Sequence, residues 1–254
     1  MTAPKVLFYD IETAPNLGYV WAKYDQNVLA YEREWYMLCV SYRWAHEKTT
    51  HVISLLDFPE TYAANPEDDT QLVEHLWVLL DNADITIAHN GDKFDNKKSN
   101  ARFVVHGMAP PSPYRSIDTL KVARQKFMFN SNSLGDLGET LNLGSKVSTG
   151  GFSLWSGVMR GDGKAWRKML RYAKQDVDLL IAVYERLKPW MTNHPNMGMY
   201  SEETVCPTCG STHLIKRGVR YTQTMTYQQL QCQDCGAYSR SRAAEAGVRP
   251  NVVP

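Results

Sequence analysis

Apolar residues over positions 1–190 follow two periods that alternate along the chain. Short apolar runs, such as 6–9 and 85–88, predict buried strands, whereas Leu72, Leu76 and Leu79 recur at the spacing of one helix face. We predict strands over residues 5–10, 35–44, 50–55, 85–88 and 116–118. We predict helices over residues 70–82, 94–106, 119–127, 133–141 and 165–187. Strands that alternate with helices favour an α/β domain with a mixed sheet.

The pattern changes near residue 190. The stretch 189–198 is rich in proline, asparagine and glycine, which is typical of a linker. Four cysteines lie downstream of it, and the chain ends in a segment that we expect to fray. We therefore predict a first domain over 1–190, a linker over 191–203, a small module over 204–243 and a flexible tail over 244–254.

Composition and charge restrict the class of protein. Apolar residues make up 43% of the chain and charged residues 22%, a globular balance that excludes a disordered or collagen-like protein. No apolar run approaches the ~18 residues of a membrane span, and residues 1–9 lack the flanks of a signal peptide. We therefore expect a cytoplasmic protein with no membrane partner. The net charge of +1 argues at face value against a nucleic-acid partner, because proteins that bind nucleic acid are usually basic.

Four of the five cysteines form two matching pairs. Cys206 with Cys209 and Cys232 with Cys235 each form a C-x-x-C sequence followed by glycine, which eases a turn that aims both thiolates at one ion. The pattern predicts a closed tetrahedral site for one structural Zn²⁺ in a zinc ribbon, with reduced free thiols as the alternative. A module this short cannot bury a sufficient core without a metal.

Three acidic patterns follow one another along the predicted first domain. Asp10 and Glu12 end the first strand and share one of its faces. Asp95 lies in the first turn of a helix that follows a buried strand. Tyr172 and Asp176 are four residues apart on the long helix and therefore project together. Each pattern alone also fits an ordinary interpretation as a solvated strand end, a helix cap or surface decoration.

In this order, Asp-x-Glu, Asn-x3-Phe-Asp and Tyr-x3-Asp resemble the DEDD superfamily of 3′–5′ exonucleases. The resemblance covers roughly residues 4–190 and implies an RNase H-like mixed sheet flanked by helices, to which the small C-terminal zinc ribbon is added. The chain resembles the tyrosine branch, because Tyr172 lies four residues before the last Asp, whereas the histidine branch has His at the position of Arg171. Asp178 lies ~200° around the helix from Asp176 and cannot share its site.

The resemblance implies a site that holds two Mg²⁺ or Mn²⁺ ions, since such hard cations prefer oxygen ligands. It implies that Asp10 bridges both ions and that Glu12 and Asp176 help to hold the ion that activates water. By the same resemblance, Asp95 supports the ion that faces the leaving 3′-oxygen. Tyr172 would orient the attacking water, because a phenol with a pKa of ~10 is a poor base at neutral pH.

Candidate substrate contacts flank these residues. Thr13 and Asn90 lie beside the carboxylates and could contact the terminal nucleotide, with turn hydrogen bonding as the alternative. Six cations over residues 160–174 could follow phosphates or form a solvated helix face. Among them, Arg167, Lys168 and Arg171 are our candidates for substrate binding.

We therefore expect a two-metal 3′–5′ exonuclease of a bacterial or phage-infected cell that releases nucleoside 5′-monophosphates, with DNA favoured as the substrate. An exoribonuclease or a structure-dependent endonuclease on the same fold, and a catalytically inert zinc-ribbon protein that binds nucleic acid, remain alternatives. The ribbon could bind the substrate or a protein partner in replication or repair. Because the acidic residues form a metal site, the near-neutral charge no longer argues against nucleic acid.

Overall fold

The chain divides at Tyr184 into two structural units, the first of which extends from Lys5 to Val183. The computed structural model describes residues 3–24, 27–145 and 150–245. Of the predicted tail over 244–254, residues 246–254 lie outside the described residues. Among the described helices, none is both long enough and apolar enough to cross a membrane.

The first unit is built around a five-stranded mixed sheet. Its strands, with a separate two-stranded hairpin, are β1 (Val6–Thr13), β2 (Leu17–Tyr19), β3 (Ala30–Arg33), β4 (Met37–Trp44), β5 (His51–Ser54), β6 (Ile85–Ala88) and β7 (Arg115–Asp118). The five-stranded sheet has the order β5-β4-β1-β6-β7, and β2 pairs with β3 in the hairpin. Strand β1 runs antiparallel to β4 and parallel to β6, which confirms the predicted RNase H-like mixed sheet.

Seven helices are described in this part of the chain. They are α1 (Pro59–Ala64), α2 (Thr70–Asp81), α3 (Asp95–Val105), α4 (Thr119–Lys126), α5 (Leu134–Thr140), α6 (Phe152–Met159) and α7 (Gly163–Leu187). Every predicted helix is present, with ends that differ by at most two residues. Buried leucines on α2 and fully buried residues along β6 explain why the periodicity located these elements.

The periodicity missed the hairpin and two helices. Strands β2 and β3 are exposed along their whole length, so their apolar residues follow no burial period. Helix α1 has no buried residue, and α6 begins directly after two glycines that indicate a loop. Strand β1 also continues three residues beyond its predicted end at residue 10.

The second unit contains a three-stranded antiparallel sheet. Its strands β8 (Leu214–Tyr221), β9 (Thr226–Cys232) and β10 (Tyr238–Arg240) have the order β10-β9-β8. Strands β8 and β9 connect the two cysteine pairs, and β10 follows the second pair. The small buried cluster of this unit consists of Cys206, Cys232 and Ala237, with the other two cysteines packed against it.

A buried carboxylate ties three elements of the first unit together. Asp69, which is fully buried just before α2, accepts a hydrogen bond from the backbone N–H of Met37 at 2.8 Å. The other carboxylate oxygen of Asp69 contacts the guanidinium of Arg102 and lies 2.8 Å from Nε2 of His106. The carboxylate thereby connects the start of β4 to the end of α3.

We expect Asp69→Ala to lower the free energy of unfolding by about 3 kcal/mol, because it leaves a buried N–H, the Arg102 guanidinium and the His106 ring without their acceptor. Chemical denaturation of the full chain measures the effect. Glu74→Ala on the exposed face of α2 is the control and should change stability by less than about 0.5 kcal/mol. Equal stabilities of the two variants would refute this role for Asp69.

Candidate active site

The end of β1 carries two of the predicted carboxylates. In the ladder with β4, Asp10 pairs with Ser41 and Glu12 pairs with Cys39. Alternate residues of a strand share a face, so both carboxylates lie on the same side of the sheet. The register shifts directly after Glu12, and the strand ends at Thr13. The extra length of β1 is what keeps Glu12 within the regular ladder.

Helix α7 supplies the third carboxylate of a close group. Carboxylate oxygens of Asp10, Glu12 and Asp176 all lie within 4.8 Å of one another. Asp176 is only 3% exposed, so water screens its charge poorly. Like charges at this separation repel unless a cation or a proton lies between them. A set of carboxylate oxygens without nitrogen or sulfur fits Mg²⁺ or Mn²⁺, and the three residues therefore suit a divalent ion.

Tyr172 lies one helical turn before Asp176, and the two side chains are hydrogen-bonded. Burial, reinforced by the charges of Asp176 and Glu12, raises the pKa of Tyr172 well above that of an ordinary phenol. The ring of Trp155 meets the Tyr172 ring edge to face, with 6.4 Å between the centroids. The phenol therefore keeps its proton at neutral pH, which fits the predicted role of orienting a water molecule.

Asp95 is placed differently from the other three carboxylates. It is 1% exposed at the start of α3, and it accepts a hydrogen bond from the backbone N–H of Ile11 at 3.1 Å. Burial raises the pKa of Asp95 to about 7. Ile11 separates Asp10 from Glu12, so this bond fixes the backbone that carries both. Asp95 does not belong to the close carboxylate group, and its metal contact stays a prediction.

Asp118 is a buried carboxylate that the sequence patterns did not identify. It accepts hydrogen bonds from the backbone N–H groups of Asn90 and Leu120, each at 2.9 Å. Asn90 has a φ of 68°, a left-handed conformation that asparagine tolerates better than most residues. Asp118 therefore caps α4 and also holds the loop after β6. Its only signal in the sequence is its place between a strand and a helix start.

His89 has a contact at each ring nitrogen. Its Nε2 lies 3.0 Å from the carbonyl oxygen of Asn132, and its Nδ1 lies 2.8 Å from the hydroxyl of Thr119. Because a carbonyl only accepts, Nε2 is the donor to Asn132. Both contacts support a structural role for His89.

A polar cleft of about 580 Å³ borders the carboxylates on the side of Asn90. Asp10 and Asn90 line it together with Arg124 and polar residues of the segment 130–133. Hydroxyl, amide and guanidinium groups are the donors that commonly contact phosphate and sugar oxygens. The structure thus places Asn90 where a nucleotide contact is possible. The cleft residues after α4 were missed because they belong to no recognised motif.

An aromatic cleft of about 320 Å³ borders Thr13. Trp35, Phe152 and Trp155 line it, and Lys98 lies with its Nζ 3.5 Å from the centroid of the Trp35 ring. Aromatic faces stack on nucleobases, so this cleft could accept a base beside the carboxylates. Phe152 and Trp155 were missed because α6 was not predicted.

The predicted substrate-binding cations lie on two faces of α7. Lys168 is four residues before Tyr172 and eight before Asp176, so it shares their helix face. Arg167 and Arg171 are exposed and lie about 100° around the helix axis from that face. Of the three cations, Lys168 therefore has the position that best fits a contact at the carboxylates.

Asp178 lies apart from the site, as the helix geometry predicts. The hydroxyl of Thr50 donates to its carboxylate at 2.5 Å, and the guanidinium of Arg43 lies 3.4 Å from the same oxygen. Asp178 therefore offers a control position on the same helix.

The four paired cysteines meet in the second unit. The Sγ atoms of Cys206 and Cys235 are 3.7 Å apart, and those of Cys209 and Cys232 are 3.6 Å apart. All four sulfur atoms lie within 4.8 Å of one another. A tetrahedron with Zn–S bonds of ~2.3 Å has S–S edges of ~3.8 Å. Four thiolates in this arrangement therefore fit one Zn²⁺.

The two cysteine pairs have the same backbone turn. The N–H of Gly210 donates to the carbonyl of Cys206 at 2.9 Å, and the N–H of Gly236 donates to that of Cys232 at 3.0 Å. Both glycines have a φ of 79°, a conformation that disfavours residues with a side chain. The glycine after each pair is thus required by the turn, as the sequence indicates.

A sequence profile described as the RNase H superfamily matches residues 29–188. The matched range contains Asp95, Tyr172 and Asp176, and it begins after β1. A comparison with curated protein sequences gave no match.

Among solved structures, the chain is similar to the family B DNA polymerase of the hyperthermophilic archaeon Pyrobaculum calidifontis. The TM-score is 0.54 and the sequence identity is 15%, so the likeness concerns the fold. The similarity covers 74% of this chain and 25% of the polymerase chain. The protein thus spans about a quarter of the length of that polymerase.

We expect the double variant Cys206→Ser/Cys235→Ser to lose bound zinc, because it removes two of the four thiolate ligands. Elemental analysis of the purified full chain measures the metal content. Cys39→Ala, which removes a cysteine buried in β4, is the control and should retain one zinc ion per chain. Equal zinc contents of the two variants would contradict the assignment.

Proposed function

The chain belongs to the RNase H superfamily, and on that basis we propose that it is a metal-dependent 3′–5′ exonuclease. The proposed reaction hydrolyses the last phosphodiester bond at a 3′ end and releases a nucleoside 5′-monophosphate. The observation that carries the proposal is the close group of Asp10, Glu12 and Asp176 with the hydrogen-bonded Tyr172. DNA is favoured as the substrate because the solved structure of similar fold is a DNA polymerase.

The three carboxylates would hold the divalent ions. Bound Mg²⁺ or Mn²⁺ would supply the positive charge that stabilises the attacking and leaving oxygens, and would lower the pKa of the attacking water. Asp95 fixes the backbone between Asp10 and Glu12, so it maintains the spacing of these ligands. The sheet and α7 therefore hold the three carboxylates together against their electrostatic repulsion before any substrate binds.

Tyr172 orients the attacking water with its protonated hydroxyl. Thr13 would contact the terminal nucleotide from the aromatic cleft, and Asn90 from the polar cleft. Lys168, with Arg167 and Arg171 on the adjoining helix face, would pair with phosphates of the strand. In the balanced reaction, water forms a new P–O bond, the bond from phosphorus to the 3′-oxygen breaks, and the shortened strand keeps a 3′-hydroxyl.

We expect Asp176→Asn to lower the cleavage rate more than about 100-fold, because it removes one charge from the metal ligands. The assay uses 5′-labelled single-stranded DNA and RNA with Mg²⁺ or Mn²⁺. The wild-type chain should give a ladder that shortens from the 3′ end. Asp178→Asn is a matched control two residues away and should cleave at nearly the wild-type rate.

The product pattern separates the proposal from its alternatives. Faster cleavage of RNA than DNA would indicate an exoribonuclease, and internal cuts in structured substrates would indicate an endonuclease. An absence of cleavage with both metals and all substrates would refute the enzyme and favour a protein that only binds nucleic acid. Equal rates for Asp176→Asn and Asp178→Asn would refute the assigned site.

We expect Tyr172→Phe to lower kcat roughly 10- to 100-fold, since it removes the hydroxyl that orients water but leaves all carboxylates in place. The loss should be the same at every pH between about 6.5 and about 9, because the phenol stays protonated throughout this range. Parallel pH–rate profiles of the two proteins test this. A loss that grows with pH would instead show that Tyr172 acts as a base.

A further inference from the structure

One face of the three-stranded sheet in the second unit combines aromatic, cationic and amide side chains. Alternate residues of β9 point to the same side, and their partners across the ladders share that side. Tyr227 pairs with Arg220, Gln229 pairs with Arg240, and Gln231 pairs with both Ile215 and Tyr238. We call this the ribbon face, and its members are Ile215, Arg220, Tyr227, Gln229, Gln231, Tyr238 and Arg240.

The ribbon face carries positive charge without a carboxylate among its seven members. The guanidinium carbon of Arg240 lies 3.9 Å from the centroid of the Tyr227 ring, so the cation lies over an aromatic ring. Tyr238 is 52% exposed. Asp234 lies between the two cysteines of the second pair, and its carboxylate is 3.0 Å from Nδ1 of His213.

The opposite face of the same sheet borders a cleft. Leu214, Leu230 and Ser239 from that face line the cleft, and Arg240 of the ribbon face lines it too. Towards the end of β8 the opposite face is also open to solvent, since Lys216 is exposed and Tyr221 is 73% exposed. The ribbon face is therefore distinguished by its combination of two arginines with two tyrosines rather than by exposure alone.

We propose that the ribbon face binds single-stranded nucleic acid at a site separate from the carboxylates. Unpaired bases can stack on the exposed ring of Tyr238 and on the guanidinium of Arg240, which the half-buried Tyr227 supports, whereas paired bases in a duplex cannot. Arg220 and Arg240 match the charge of the phosphates, and the two glutamines can hydrogen-bond to base edges. Neither contact distinguishes DNA from RNA, so both unpaired strands should bind.

Fluorescence anisotropy of labelled oligonucleotides tests the proposal with the full chain. Asp10→Asn is introduced throughout to prevent cleavage, and no divalent ion is added. We expect unpaired DNA and RNA to bind more tightly than a duplex. Tyr227→Ala should weaken the binding of unpaired strands about tenfold, which is the effect of losing one stacked base. Arg220→Gln should reduce the slope of log affinity against log salt by about 0.7.

Lys216→Gln is the matched control. It removes one cation from the same strand, but Lys216 pairs with Leu230 and so lies on the opposite face. We expect its affinity to match that of the parent chain. Zinc content confirms that each variant retains the ribbon, and the exposed position of Arg220 keeps the test valid if Tyr227→Ala loses its metal.

Unchanged affinity in both Tyr227→Ala and Arg220→Gln, with zinc retained, would overturn the proposal. An equal loss in Lys216→Gln would also overturn it, since the binding would then depend on overall charge. Tight duplex binding with no binding of unpaired strands would indicate a different partner and would refute it. Because the measurement requires no cleavage, its result is independent of whether the chain is an exonuclease.

Discussion

Mutual repulsion of Asp10, Glu12 and Asp176 is the constraint on which the proposed site depends. Their oxygens lie within 4.8 Å of one another, and Asp176 is nearly fully buried, so the fold must hold them against a Coulomb cost. Strand β1 holds the first two in its ladder with β4, and α7 carries the third. A divalent cation bound between the carboxylates would offset this repulsion, so the arrangement favours metal binding.

Several neighbours of the site follow from the same constraint. Asp95 binds the backbone N–H between the two β1 carboxylates, and Asp118 supports the loop that carries Asn90. The high pKa of Tyr172 results from burial beside carboxylates, so in the proposed reaction the tyrosine would orient water and a bound metal would supply the activation. In the proposed function, the polar cleft that Asp10 lines would accept sugar and phosphate, and the aromatic cleft at Thr13 would accept a base.

The sequence predicted those elements whose side chains are buried on one period. Helices α2 and α3 and strand β6 were predicted to within one residue, because core packing enforces their patterns. The carboxylates were predicted from the order of three motifs and the resemblance that they carry, and the cysteine pairs from their spacing. The structure brings Asp10, Glu12 and Asp176 together and brings the four cysteines together. Asp118 and Trp155 were missed, since their roles arise from contacts between different segments: Asp118 binds the loop that carries Asn90, and Trp155 packs against Tyr172.

Binding of Mn²⁺ to the full chain, measured by electron paramagnetic resonance, tests the central claim most directly. The account predicts saturable binding that Asp10→Asn and Asp176→Asn abolish or weaken strongly and that Asp178→Asn leaves intact. Cys206→Ser/Cys235→Ser should also bind Mn²⁺, because hard cations do not need thiolate ligands. Equal Mn²⁺ binding by Asp176→Asn and Asp178→Asn, or no binding by the wild-type chain, would contradict the account.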